Sequence, residues 1–290
     1  MADKLYPYID EIIASGIPFT VIAAGTQLPV DKKTMPFPTN WPERDRVLLK
    51  ELNEKSTGFS TRGSVTQEFC SELGLTTANN GDIAFFDPRF DDRAFVPNRE
   101  IKKIAISDPH YWRSFLPEFR DLRDGLQKRF PEAEIVVAFH GKSKFEDFLN
   151  QENIKILRLY DDLEKGLDFY DTVDLHVGFR VHAHVSALAR RKYSYLIEQD
   201  GRGCDYGRYM NANISMPCHI NKTNLLLSKI FRAKTLSRLS KRGRSSAITQ
   251  LLGVIGKDQR TGFSTFSGLE NQITQINADN IAFLKRHLPL

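Results

Sequence analysis

Between residues 103 and 197, short apolar runs that read as strands alternate with longer stretches of helical period, and this alternation limits the fold more than any other feature. A strand at 103–107 precedes a helix at 113–129, a strand at 134–139 precedes a helix at 144–150, and a strand at 154–159 precedes a helix at 163–169. A strand at 173–176 then runs into a turn and a helix over about 182–190, followed by a strand at 195–197. Strands alternating with helices at this spacing imply parallel βαβ units and a doubly wound sheet. Ligands of such sheets bind beyond the carboxyl ends of the strands, so chemistry is expected in the βα turns.

The pattern upstream is shorter. A helix is expected at 4–14, a β-branched strand at 19–23 ending in the turn GTQLP, a Pro-rich and Thr-rich loop at 32–40, and a helix from Pro42 to about Glu54. A strand at 58–61 leads into a helix at 64–73 stopped by Gly74, with another short strand at 83–86. The polar stretch DPRFDDRAFVPNRE, 87–100, carries two prolines and no apolar period, and reads as a linker between an N-terminal unit of 1–95 and a C-terminal unit of 96–290. A final helix at 269–288 places Leu269, Ile273, Ile276, Ile281, Leu284 and Leu288 on one face.

Composition narrows the class. With 290 residues, 41% hydrophobic and 27% charged, the chain can bury a sizeable core, which excludes wholesale disorder and a disulfide-stapled miniature. Cys70, Cys204 and Cys218 lie far apart with no C-x-x-C pair, so reduced thiols are expected rather than a structural zinc site. The longest apolar run, near Ile17, is about half of what a spanning helix needs, and the N-terminus lacks a secretory pattern, so a cytoplasmic protein is expected. Net charge is only +5, but between Tyr206 and Lys257 there are ten Lys or Arg and no acid. Within 222–244, eight of these alternate with Leu, Ile and Phe. That pattern fits a solvated amphipathic helix or a helix lying on anionic lipid; with one aromatic and no binding motif, nucleic acid is not expected as a partner.

The densest stretch for chemistry is DLHVGFRVHAHVSA, 174–187. Gly178 permits close backbone approach, Arg180 grips a carboxylate or phosphate with paired hydrogen bonds, and His176, His182 and His184 titrate near neutrality. A shared metal is the competing reading. On a helix, however, His182 and His184 would point about 200° apart, and no H-E-x-x-H accompanies them, so no metal site is expected.

The segment DLHVGFRVHAHVSALA, followed by YLIEQDGR, resembles the C-terminal block of the polysaccharide pyruvyl transferase family. STRGSVTQEFCSELGL followed by NNGDIAF is similar to an upstream block of the same family, and VIAAGTQLP to its N-terminal Gly/Gln/Pro turn. The resemblance covers about Pro18 to Arg202. It implies an α/β fold of two Rossmann-like lobes, GT-B-like, with the site in the cleft between them and with a shortened N-terminal lobe, because the chain starts almost at the GTQLP strand. It implies transfer of the pyruvyl group of phosphoenolpyruvate to two hydroxyls of a sugar or lipid-linked oligosaccharide, with no cofactor and with contact at the inner membrane face. Arg62 and Arg180 would bind the donor, Arg202 would stand where many members carry Lys, and His182 would transfer the proton. The expected turns add Gly25, Gln27, Asp82, His110, His140, Gly178 and His184 as further cleft residues. A nucleotide-sugar glycosyltransferase and a non-catalytic surface-binding relative are the alternatives.

Overall fold

The computed structural model describes residues 8–26, 42–98, 100–152, 154–218 and 234–288, the first twelve of the last stretch as backbone only. In chain order the elements are α1 (Ile9–Ala14), β1 (Thr20–Ala24), α2 (Glu43–Lys55), β2 (Gly58–Thr61), α3 (Ser64–Glu72) and β3 (Ala78–Asn79). They continue as β4 (Lys103–Ser107), α4 (Trp112–Arg129), β5 (Glu134–Phe139), α5 (Phe145–Gln151), β6 (Ile156–Arg158), β7 (Leu175–Gly178) and α6 (Val181–Ala189). The last are β8 (Tyr193–Glu198), α7 (Gly201–Tyr209), β9 (Ser215–Pro217), α8 (Lys234–Arg260) and α9 (Leu269–His287).

Two parallel sheets result, as the alternation requires. The smaller has the order β1-β2-β3; the larger has the order β6-β5-β4-β7-β8-β9. The larger order reverses direction between β4 and β7, and a crevice therefore opens beyond the carboxyl ends of those two strands. Strand alternation fills the two faces differently. Ile104 and Ile106 join the large cluster with Phe115, Phe119, Leu122 and Leu126 of α4, whereas Ala105 and Ala138 meet Ala183 and Ala187 of α6 and Tyr170. Small residues on the second face let α6 lie close to the sheet, which brings its first turn to the crevice.

Several sequence expectations change. Residues 83–86 are not a strand: Ile83–Phe85 is a 3-10 turn whose first N–H groups are served by the Asp82 carboxylate, which accepts from the Ala84 amide at 2.9 Å. The helix expected at 163–169 is a 3-10 run, Gly166–Thr172, and Leu163 is exposed. The stretch 87–100 is packed rather than a loose linker. Phe90 and Phe95 are buried there, and Arg93 donates to Asp171 at 2.7 Å. On α9 the buried face is Leu269, Ile273, Ile276, Asn277, Asn280 and Phe283, with Ile281 and Leu284 only half-buried and Leu288 exposed. The face turns because Asn280 donates from Nδ2 to the Asn80 carbonyl at 3.0 Å, tying α9 back to the N-terminal half of the chain. The basic segment of 222–244 lies outside the residues whose side chains are described. No helix among the described residues is long and apolar enough to cross a membrane.

Candidate active site

Three loops of the larger sheet and one of the smaller converge. At the end of β4, Ser107 and Asp108 are fully buried. At the end of β7, the Arg180 amide donates to Ser107 Oγ at 3.0 Å, and its side chain forks onto Asp108, with Nε at 3.0 Å from Oδ1 and Nη2 on Oδ2. Such a planar, bidentate pair fixes the guanidinium by one edge and leaves Nη1 on the other. Nη1 lies 3.3 Å from His110 Nδ1. At the end of β8, Asp200 caps α7 and forks onto Arg202 in the same way, with Nη2 to Oδ2 at 2.6 Å. Gln199 bridges the crevice. Its Nε2 donates to the Phe179 carbonyl at 2.8 Å, and its Oε1 accepts from the Tyr111 amide at 3.5 Å.

Arg62 arrives from the smaller sheet, at the end of β2, with its amide bonded to the Ala24 carbonyl at 3.0 Å. Its Nε stands 3.6 Å from Oδ2 of Asp205, which belongs to α7. Asp205 is fully buried and spans the two halves of the chain. It accepts from the Thr66 amide at 2.9 Å and from Thr66 Oγ1 at 2.6 Å, and Thr66 Oγ1 in turn accepts from the Thr26 amide at 3.0 Å. The amide of Thr66 belongs to the first turn of α3, so a carboxylate from one sheet's helix caps the helix of the other. Gly63 explains the close approach, since a Cβ there would sit 2.6 Å from Asp205 Cβ.

His182 opens α6 and is exposed, whereas His184 two residues on is fully buried, as the helical spacing demands. Partial burial and the charges of Arg62, Arg202 and Arg180 hold the His182 imidazole below its ordinary pKa, against the opposing pull of Asp82. Asp82 is itself buried and accepts from the Tyr206 hydroxyl; the Arg62 guanidinium lies 6.0 Å from the Tyr206 ring centroid. His140 hydrogen-bonds the Tyr170 hydroxyl at 2.7 Å and is pushed down to about 3 by burial and by Arg180 and His182, so it stays neutral in the wall of the site.

Of the sequence candidates, His182, Arg62, Arg180, Arg202, Asp82, His110 and His140 gather here. His184 does not: its Nδ1 bonds Ser194 Oγ at 2.7 Å in the core, and burial pushes it down to about 3. Gly178 and Gly25 are present for the protein's own atoms rather than for a ligand, because a Cβ would strike Ser107 at the first and the Arg62 guanidinium at the second. Gln27 lies outside the described residues. His176 is spent on Ser194 and Ser107, at 2.7 and 2.9 Å, and so shares the Ser194 hydroxyl with His184 in the core, away from the exposed His182. Among the described residues no group of three or more His, Cys, Asp or Glu is placed to hold a metal ion. Asp205 escaped sequence reasoning because an isolated aspartate carries no spacing signal; Asp108 and Asp200 lie in stretches the sequence marked, the turn after β4 and the YLIEQDGR block, but neither was singled out as a partner of an arginine.

The larger sheet's strand order and the βα-turn location of these groups are those of a doubly wound, Rossmann-like α/β fold. Among solved structures, the chain is similar to the glycosyltransferase SnogD from Streptomyces nogalater, with 12% identity over 74% of this chain and 61% of that one and a TM-score of 0.26. It thus spans about three fifths of that protein's length. No curated protein sequence matches. The model of the polysaccharide pyruvyl transferase family, by contrast, matches residues 5–201, from the first helix to the start of α7, and the chain belongs to that family.

Proposed function

We propose that the chain transfers the pyruvyl group of phosphoenolpyruvate to two hydroxyls of a glycan sugar, forming a cyclic ketal and phosphate. The observation that carries this reading is the convergence of Arg62, Arg180 and Arg202, from both sheets, on the one exposed imidazole of α6. Arg180 and Arg202 are each forked onto a buried aspartate and Arg62 stands 3.6 Å from another, so the site is not a bare cationic trap. Fixed Nη groups recognise the donor's phosphate and carboxylate by geometry. The start of α6, which has no side-chain cap, adds unpaired backbone N–H groups and the positive end of a helix.

In this reading His182 delivers a proton to the methylene carbon of the donor, and C2 gains the positive character that the first sugar hydroxyl attacks. The proton lost by that hydroxyl returns to His182. The second hydroxyl then displaces phosphate, which carries its proton away. Donor anions neutralise the arginines around His182 and so raise its proton affinity at the moment an acid is needed. Residues 96–290 supply most of the donor side, and residues 1–95 supply Arg62 and the acceptor side. A lipid-linked oligosaccharide is the acceptor form that suits contact of the basic segment with anionic lipid at the inner membrane face.

Phosphate release from phosphoenolpyruvate against a panel of glycosides tests the reading. Release with the native chain and none with Arg62→Ala or His182→Ala is expected, while thermal stabilisation by a nucleotide sugar and not by phosphoenolpyruvate would replace it with glycosyl transfer. Activity that disappears on exhaustive chelation and returns with one metal would overturn the cofactor-free scheme.

A further inference from the structure

His110 sits between the two arginines of the larger sheet, on the loop that joins β4 to α4 at the strand-order reversal, and it is exposed to the cleft. Its ring packs edge-on against Tyr111, with centroids 4.7 Å apart. Its Nδ1 faces Arg180 Nη1 at 3.3 Å. A guanidinium has five donors, no acceptor, and does not lose its proton in proteins, so in this contact the imidazole nitrogen has one available role: it accepts. A neutral imidazole that accepts at Nδ1 carries its hydrogen on Nε2.

We propose that His110 is a substrate-binding residue that stays neutral and donates its Nε2 hydrogen to an anionic oxygen of the donor, beside the Nη1 groups of Arg180 and Arg202. This rests on the phosphoenolpyruvate reading of the site and adds to it a fourth ligand of a different kind. The charged and titratable groups that face His110 are Arg180 and Asp108 at the adjoining strand ends, Arg202 and Asp200 at the start of α7, and Tyr111 on its own loop. Burial and the two arginines outweigh the two aspartates and hold the imidazole below its ordinary pKa, in keeping with the neutral form. Asp108 and Asp200 are already paired with Arg180 and Arg202, so a fourth guanidinium or ammonium in this place would add charge that neither offsets. A neutral donor adds direction without another cation to compensate, and it lets Arg180 keep its edge on Asp108.

The role separates from a merely structural one through side chains that imitate one ring nitrogen at a time. The Gln amide nitrogen reaches the place of Nε2, whereas Asn presents its amide near Nδ1. Binding of phosphoenolpyruvate and of inorganic phosphate is measured by calorimetry for the native chain and for His110→Gln, His110→Asn and His110→Ala, with circular dichroism to confirm folding. A hydrogen bond to a charged oxygen lost on binding corresponds to about tenfold weaker affinity. His110→Ala and His110→Asn are expected to lose about tenfold for phosphoenolpyruvate, and His110→Gln to stay within about threefold of native. Nitrogen-15 NMR of the native imidazole between pH 6 and 8 is expected to show the Nε2-protonated tautomer. Equal affinity in all four proteins overturns the assignment of His110 alone, as does an Nδ1-protonated or doubly protonated ring. A native chain that binds neither anion overturns the donor reading, and this inference with it.

Discussion

Asp205 offers a direct test of how the two halves of the chain are joined. Replacement by Ala deletes both acceptor oxygens. The Thr66 amide in the first turn of α3 then loses its cap, a loss of about 1–2 kcal/mol, and the buried Thr66 hydroxyl loses a partner for about 1 kcal/mol more. The sum is about 2–3 kcal/mol. Asn differs in kind. Its Oδ1 still accepts from the Thr66 amide and its Nδ2 can donate to Thr66 Oγ1, but that oxygen already accepts from the Thr26 amide, so the hydroxyl hydrogen loses its acceptor and the 3.6 Å ion pair to Arg62 goes as well. Against that loss stands a gain, because burial raises the Asp205 carboxyl above its ordinary pKa, so that the folded state already pays for keeping it ionised. Asp205→Asn should therefore cost less than Asp205→Ala, since it keeps the cap on α3. Urea unfolding at pH 7, followed by circular dichroism with the slope of the transition held as a check, reads both variants. If Asn proves as destabilising as Ala, the charge and not the cap joins the halves, and the argument from hydrogen-bond geometry fails.

Two further outcomes follow from titration. Binding of phosphoenolpyruvate at or just below about pH 6.5 should take up more protons in the native chain than in His182→Ala, since it neutralises the arginines that depress His182; calorimetry in buffers of different ionisation enthalpy reads the difference, and equal proton exchange in the two proteins would contradict it. Burial raises the Glu198 carboxyl to about 7 despite its bond from Ser215 Oγ at 2.7 Å. A carboxyl raised in the folded state stabilises while protonated, so stability should fall as pH rises from about 4.5 through about 7, by about 1–3 kcal/mol, and Glu198→Gln should flatten that part of the curve; an unchanged slope in urea unfolding between pH 5 and 8 would refute the assignment.

The legible parts of the fold were those in which local pattern and tertiary demand agree. The strands at 103–107 and 134–139 stand at the ends expected of them, because fully buried parallel strands are continuous apolar runs. The unexpected elements are those where the two demands conflict. Helix α7, GRGCDYGRY, carries glycines that oppose helix formation, and they are there because the chain packs onto Glu198: a Cβ at Gly203 would lie 2.9 Å from Glu198 Cα. The reverse error produced a strand at 83–86, where an apolar IAFF run is bent into a turn by the Asp82 cap.

The sequence by itself determined the parallel α/β class, the turns where chemistry should be sought, and the family blocks that single out Arg62, Arg180, Arg202 and His182. Period and residue type are local quantities, and one chain carries them in full. Only the tertiary structure decided that His182 faces the cleft while His184 serves the core, that Gly178 and Gly25 make room for Ser107 and Arg62, and that each arginine is held by an aspartate distant from it or unremarkable beside it. Those decisions depend on which strand ends lie side by side, and that is set by the order β6-β5-β4-β7-β8-β9, in which β4 and β7 are neighbours across a gap of 67 residues, Asp108 to Asp174.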